Sequence, residues 1–219
     1  MVKPTFIGIG AMKAGTSSVH EYLRKHPEVF VPKHKEQNWF RDENKSQKQY
    51  EDIFPDFKAR GEISPSYDVF IPKIAKLYPG IKLIYNVRNT TKRFISAVGM
   101  LRKKHPKNNY DADIMMKENS YFLQQGLYQR TIQTAWAHKC PIWVINFDNI
   151  VQNQQKVFNG LCRFLGVSEF TTPYIHSFSS KHCGFDKPFM TKKQEEELNK
   201  YYAQSNKFMK ENYGFVMKL

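Results

Sequence analysis

FIGIGAMKAGTSSVHEYL, residues 6–23, decides how the rest of the chain is read. It opens on an apolar run, Phe6-Ile7-Gly8-Ile9-Gly10, whose Phe and Ile suit a buried strand. A turn of small residues follows, Ala11 to Ser18, with one cation inside it, Lys13, and Thr16-Ser17-Ser18 at its end. Val19, Tyr22 and Leu23 then recur at helical spacing, so an amphipathic helix leaves the turn. A strand, a tight loop and a helix N-terminus together make an anion site. Backbone N–H groups converge there, and the helix dipole adds partial positive charge at the same place. The hydroxyls of Thr16, Ser17 and Ser18 and the ammonium of Lys13 add donors, which points to a phosphorylated ligand. The plainer alternative is a solvated Lys in an ordinary strand-to-helix turn, and only other motifs can decide between them.

The position of the Lys narrows the ligand. In the nucleotide-triphosphate loop G-x-x-x-x-G-K-[ST], Lys follows the second Gly. Here Lys13 precedes Gly15 and no Lys follows it in the loop, which counts against an ATPase or GTPase.

Outward from this stretch, 219 residues suit a single α/β domain, residues 1–219, with a sizeable core. The first predicted strand begins close to Met1, which leaves no room for a signal peptide, and no apolar run approaches membrane-spanning length. Cys140, Cys162 and Cys183 are odd in number and far apart, so no disulfide framework is implied, and His138 and His182 lack zinc spacing to them. The expectation is a cytoplasmic, reduced protein with no metal site and no membrane span. A formal net charge of +14 asks for anionic partners. Nucleic acid is one class; a nucleotide with several phosphates beside an anionic acceptor is another. No zinc-finger, RNP1-like or helix-turn-helix pattern accompanies the charge.

The remaining pattern alternates strands and helices. Strands are predicted at 29–31, 59–63, 81–87 and 142–146. Helices are predicted at 46–54, 71–78, from Thr90 onward, 118–138, across Val157 to Leu165 with Gly166 as C-cap, and 191–212. Gly126, inside the fourth of these, marks close packing. Residues 102–109 read as a basic loop broken by Pro106 and Asn, and 147–149 as a turn. Residues 173–190 have no periodicity, as a functional lid would.

Two further sites stand out. Glu36 sits among Lys33, His34 and Lys35; such a Glu is often a solvated ion pair, yet near the anion loop it would be a general base. His34 is the rival base and His20 a weaker one. Arg88 ends a predicted strand and Ser96 lies two turns into the next helix, so a forked donor and a hydroxyl can meet one anion.

Taken together, these motifs resemble the sulfotransferases that use 3′-phosphoadenosine 5′-phosphosulfate (PAPS), in particular the branch with the heparan sulfate N- and O-sulfotransferases and their bacterial or viral relatives. Lys13-Ala14-Gly15-Thr16-Ser17-Ser18 is similar to the family's 5′-phosphosulfate loop. Lys35-Glu36-Gln37-Asn38-Trp39-Phe40 resembles its K-E-x-H-F-F segment, with Asn38 and Trp39 departing from His and Phe. Arg88-Asn89-Thr90-Thr91-Lys92-Arg93-Phe94-Ile95-Ser96 resembles R-N-P-x-x-R-x-x-S, with Thr90 in place of Pro. Gly126-Leu127-Tyr128 to Trp136, and Asn146-Phe147-Asp148 to Val167, are similar to later landmarks. Two places depart: Ile63 stands where heparan-type members often have Lys before Ser-Pro, and Gly184 is flanked by Cys183 and Phe185 where K-G-R is usual.

The resemblance implies a parallel sheet flanked by helices in a P-loop-like arrangement, and sulfuryl transfer from PAPS to a hydroxyl or amine, leaving adenosine 3′,5′-bisphosphate (PAP). It implies Lys13 at the leaving phosphate and Glu36 as base. It further implies Ala14, Gly15, Thr16, Ser17 and Ser18 around the 5′-phosphate, Arg88 and Ser96 on the 3′-phosphate, and Gly184 in the late nucleotide loop, with Lys181, His182 or Lys187 to supply the charge there. The acceptor it suggests is a glycan or a small metabolite, with no nucleic acid required. A P-loop kinase and a nucleic-acid-binding module remain the alternatives from other classes.

Overall fold

Five strands carry the fold: β1 (Phe6–Gly10), β2 (Val29–Phe30), β3 (Ala59–Ile63), β4 (Lys82–Val87) and β5 (Ile142–Asn146). The computed structural model describes residues 2–42, 44–108, 110–117, 120–173, 175 and 190–215. The strands pair in the order β2-β3-β1-β4-β5, and every pairing is parallel. Parallel neighbours need crossovers. Helices α1 (Thr16–Lys25), α2 (Gln47–Glu51) and α3 (Ile71–Leu77) lie in the first three. All five residues of β1 are buried, as are the last five of β4, which is why both read as near-continuous apolar runs rather than alternating ones.

The strand order fixes where a ligand belongs. From β1 the chain steps outward to β2 and back to β3, then crosses to β4 and β5 on the other side of β1. The winding direction therefore reverses at β1. In open α/β sheets the crevice outside the carboxyl ends of the strands at such a reversal is the binding position. The loop after β1 occupies it.

Between β4 and β5 come α4 (Thr90–Lys104), α5 (Ala112–Met115), α6 (Tyr121–Gln124) and α7 (Tyr128–Ala137); after β5 come α8 (Phe147–Gln152), α9 (Gln154–Leu165) and α10 (Lys192–Tyr213). The contacts divide into two compact units, Met1–Val87 with Thr131–Ser177, and Arg88–Arg130 with Phe178–Leu219. The first holds the whole sheet. Its main core joins Val19, Tyr22 and Leu23 of α1 to Phe158, Leu161 and Cys162 of α9 and to Ile84 and Ile145 of the sheet. The Tyr22 ring stacks on Phe158 with centroids 3.9 Å apart, and its hydroxyl donates to the Phe170 carbonyl at 2.8 Å. The second unit packs Phe94 and Val98 of α4 against Leu123 of α6 and Leu198 and Tyr202 of α10. Thr191 and Gln194 form a reciprocal cap at the start of α10.

Several boundaries differ from the sequence pattern, each for a local reason. The helix expected at 118–138 is two helices, α6 and α7, with a turn at Gly126, whose N–H donates to the Leu123 carbonyl at 3.1 Å. A Cβ at Gly126 would lie 2.5 Å from the Tyr202 ring, so the close packing read from the sequence is present. Residues 102–104 extend α4 rather than opening a loop, and the helix stops at His105, the residue Pro106 biases away from helix. The turn expected at 147–149 is itself helical, capped by the Asn146 side chain accepting from the Asp148 N–H. The strand at 29–31 and the helix at 46–54 are shorter than expected, at Val29–Phe30 and Gln47–Glu51.

Candidate active site

The loop after β1 is drawn tight by glycine. Gly10 ends the strand at φ 145° and Gly15 caps α1 at φ 89°, both in the region where a Cβ is disfavoured. Neither has room for one. A Cβ on Gly10 would meet the Pro65 carbonyl oxygen at 2.8 Å, and one on Gly15 would meet the Phe147 ring at 2.8 Å. Between them, Lys13 adopts φ 66°, a left-handed conformation that costs an L-residue about 1–2 kcal/mol. The Ala11 N–H is fixed by the Asn86 carbonyl of β4 at 2.7 Å, and Ala14 N–H returns to the Ala11 carbonyl at 3.3 Å.

The start of α1 has no side-chain cap and no acidic residue in its first turn. The first N–H groups of a helix lack intrahelical acceptors. Those of Thr16 and Ser17 thus open at the end of β1, with the half-buried Lys13 two residues before Gly15. Thr16 and Ser18 are buried and Ser17 half-buried, so the predicted hydroxyls lie in the first turn itself. This donor set suits a phosphate ester and repels a cation. Lys13, Ala14, Gly15, Thr16, Ser17 and Ser18 are one continuous cradle.

Glu36 comes to the same end of the sheet. Its N–H donates to the Ile63 carbonyl at 3.2 Å, and Ile63 is in register with Gly8 of β1. Glu36 too is left-handed, at φ 67°, and so is Asn38 at φ 52°. Its carboxylate is exposed and pairs with the Lys35 ammonium at 2.8 Å. Of its rivals, His34 is exposed, whereas His20 is buried with Nε2 2.9 Å from the Pro32 carbonyl, and burial lowers its pKa. His20 belongs to the packing. Past Gln37, an open hollow of about 250 Å³ is lined by Gln37, Trp39, Lys45, Gln49 and Ile53.

Beneath Glu36 lies a residue that pattern reading passed over. Glu62 of β3 is 1% exposed, and its carboxylate accepts from Tyr50 Oη at 2.9 Å, Tyr67 Oη at 3.0 Å, Ser64 Oγ at 2.6 Å and Gln37 N–H at 3.1 Å. Burial pushes its pKa above the usual carboxylate range, and the four donated bonds pull the other way. The available signal was a lone carboxylate in a short strand between Gly61 and Ile63.

Arg88 and Ser96 belong to the second unit. Arg88 directly follows β4 and is half-buried. Asn89 caps α4, its side chain accepting from the Lys92 N–H at 2.8 Å. Ser96 is buried, in the second turn of α4. The Arg88 backbone is held by one fully buried phenol: Tyr128 Oη donates to the Arg88 carbonyl at 2.7 Å and accepts the Arg88 N–H at 3.2 Å. Tyr128 stood in the sequence only as a landmark; nothing local marks it as Arg88's partner. Lys181 and Gly184 lie outside the described residues, as does most of the aperiodic stretch 173–190. Among the described residues, no helix is long and apolar enough to cross a membrane.

A sequence profile described as the sulfotransferase family matches residues 45–172, more than half of the chain. The chain belongs to the sulfotransferase family. The matched span includes the Arg88–Ser96 segment and stops short of the Lys13 loop and Glu36. Sulfotransferase structures share the fold. One from Alicyclobacillus acidocaldarius aligns at TM-score 0.78 and 21% identity, over 96% of each chain. The sulfotransferase domain from the curacin biosynthetic pathway aligns at TM-score 0.57 and 15% identity, over 93% of this chain and 99% of its own. That of the Synechococcus PCC 7002 olefin synthase aligns at 0.53 and 13%, over 92% and 95%. No curated protein sequence matches. The expected α/β architecture holds in full, whereas a heparan-type branch within the family has no specific support.

Proposed function

We propose that this sulfotransferase takes its sulfuryl group from PAPS and passes it to a hydroxyl or amine by in-line displacement. The observation that carries the reading is the uncapped start of α1 at the reversal of strand order, with Lys13 held left-handed in the loop ahead of it. PAPS supplies an activated sulfuryl group on a 5′-phosphate and a 3′-phosphate for recognition. The N–H groups of Thr16 and Ser17 and the hydroxyls of Thr16, Ser17 and Ser18 bind the 5′-phosphate, with Ala14 and Gly15 completing the turn. Lys13 stands against the negative charge left on that phosphate as its bond to sulfur breaks, a charge-stabilising role like that of a phosphoryl-transfer lysine. Glu36 takes the proton of the attacking O–H or N–H as the new bond to sulfur forms. Arg88, with Ser96, binds the 3′-phosphate and so separates PAPS from ATP. Lys181 and Gly184 are proposed to complete the nucleotide site. The acceptor is proposed to be a glycan or a small metabolite, in a protein that acts as a single domain in the cytoplasm. A net charge of +14 suits anionic substrates.

Calorimetry tests this with PAP, ATP and 5′-AMP as ligands and Arg88→Ala as control. The expected result is tight binding of PAP, weak binding of 5′-AMP, and loss of that difference in the variant. ATP binding as tightly as PAP would overturn the assignment of the donor.

A further inference from the structure

The segment that carries Glu36 is not an ordinary loop lying on the sheet. Three of its backbone N–H groups are bound by one buried cluster. Gln37 N–H donates to Glu62 Oε2 at 3.1 Å, Asn38 N–H to Ser64 Oγ at 3.4 Å, and Phe40 N–H to Tyr67 Oη at 3.3 Å. Those three acceptors are joined to each other, because Ser64 Oγ donates to Glu62 Oε2 at 2.6 Å and Tyr67 Oη donates to Glu62 Oε1 at 3.0 Å. Glu62 is the common acceptor of the group. Tyr50 Oη completes its shell from α2, and every side chain in the cluster is buried. The Glu36 N–H joins the same edge through the Ile63 carbonyl.

Resting on the reading of Glu36 as the base, we propose that Glu62 is its positioning residue. Glu62 gathers the hydroxyls of Ser64 and Tyr67 and, with them, fixes residues 36–40 so that the Glu36 carboxylate is presented at the end of β1. Two physical points lead there. First, Glu36 is left-handed at φ 67° without being glycine or asparagine, a conformation that persists only where the surroundings over-determine it. The mooring is what over-determines it. Second, a carboxylate is acceptor-only when ionised, and here four donors from four different residues converge on it. A buried charge costs free energy unless its hydrogen bonds are met, so the site is built around the carboxylate and not merely tolerant of it. Nothing in the cluster reaches solvent in the way a reacting group must. It acts through Glu36.

The test uses the full chain, with PAPS as donor and water as acceptor, followed as PAP released. This avoids any assumption about the acceptor. Glu62→Gln keeps the volume and one acceptor oxygen but turns a donor toward the tyrosines. Ser64→Ala, which removes the Asn38 tether and one of the four donors to Glu62, serves should the first variant fold poorly. Each should lower kcat, by between about tenfold and a hundredfold for Glu62→Gln, the scale of a misplaced reacting group. The Kd for PAP should stay within about twofold, because the Lys13 cradle is untouched. In a Glu36→Gln background, Glu62→Gln should cost nothing further. Independently of turnover, amide exchange at Gln37, Asn38 and Phe40 should quicken relative to the β4 amides. The proposal is overturned if those three amides exchange as in the wild type, if PAP binding falls in step with kcat, or if the two substitutions add. Full turnover by Glu36→Gln alone would instead remove the base assignment, and the exchange result would still report on the mooring.

Discussion

Replacing Tyr128 by Phe removes one oxygen atom from a ring that is fully buried, so shape and packing are kept. That oxygen makes two bonds to the Arg88 backbone, at 2.7 Å to its carbonyl and 3.2 Å from its N–H. Each neutral hydrogen bond contributes about 1 kcal/mol net, and a buried group left unpaired costs more. Because Arg88 is half-buried, water recovers part of one bond, and the expected loss of stability is about 1–2 kcal/mol. For a chain of this length that lowers Tm by a few degrees, at about 2–4 °C per kcal/mol. The functional consequence should be selective. Freed from the phenol, Arg88 spends less time in the orientation that meets a 3′-phosphate, and PAP binding should weaken about tenfold, equivalent to about 1.4 kcal/mol. Binding of 5′-AMP, which has no 3′-phosphate, should hardly change. Calorimetric titration of both nucleotides into wild type and Tyr128→Phe, with a thermal melt of each, reads all three quantities. A lower Tm with unchanged PAP affinity would make the phenol purely structural. Equal weakening of PAP and 5′-AMP would place its effect elsewhere than the 3′-phosphate, and either result refutes the reasoning.

Gly15→Ala should abolish nucleotide binding while the sheet stays folded, since the new Cβ combines φ 89° with a 2.8 Å approach to Phe147; circular dichroism beside the PAP titration separates the two effects. Gly126→Ala should cost about 1–3 kcal/mol by driving a methyl into the Tyr202 ring, and should also disturb the Tyr202 hydroxyl's 2.7 Å bond to the Leu123 carbonyl; urea unfolding measures it. His20 gives a pH dependence. Its folded pKa lies below 6.5 because burial disfavours the imidazolium, so the unfolded chain binds the extra proton first as pH falls. Stability is therefore complete above pH 6.5 and declines as the pH falls through the folded pKa. His20→Asn should flatten that part of the stability curve, and an unchanged acid slope would show that His20 is not its source.

The fold was legible because its main strands are long apolar runs bounded by clear punctuation. Phe6–Gly10 and Ile142–Asn146 have the expected bounds and Lys82–Val87 differs by one residue; Ala59–Ile63 also has the expected bounds, although Arg60 and Glu62 interrupt its apolar pattern. A parallel strand buried on both faces leaves that pattern whatever its neighbours are. The tight turn after β1 was legible for a related reason: glycine and small residues between a strand and a helix mark a close turn of the backbone. The helix expected at 118–138 failed because periodicity reports only on a face. It carries no record that the Tyr202 ring occupies the space beside Gly126 and that the chain turns there. Tyr128 and Glu62 escaped notice for the same cause, since their partners are 40 residues away and up to 25 residues away respectively.

What remained hidden longest was conformation at the two residues proposed to react. A left-handed Gly can be anticipated, because Gly is chosen for it. A left-handed Lys13 or Glu36 cannot, because neither residue type favours that region. Each is held by backbone contacts from elsewhere: Ala11 to Asn86 of β4 beside the first, Glu36 to Ile63 of β3 at the second. The local cost is about 1–2 kcal/mol per residue, and it is met by contacts distributed over the sheet rather than by anything within the loops. Both loops therefore depend on the register of β1 with its two neighbours. A substitution that shifts β3 against β1 should disable the proposed base without touching it. Gly61 is the place to try, because a Cβ there would lie 2.1 Å from the Phe6 carbonyl oxygen and would force those two strands apart. Ala at this position should lower turnover well before the sheet itself unfolds. Loss of activity only in step with loss of the folded signal would mean that the strain is carried locally after all.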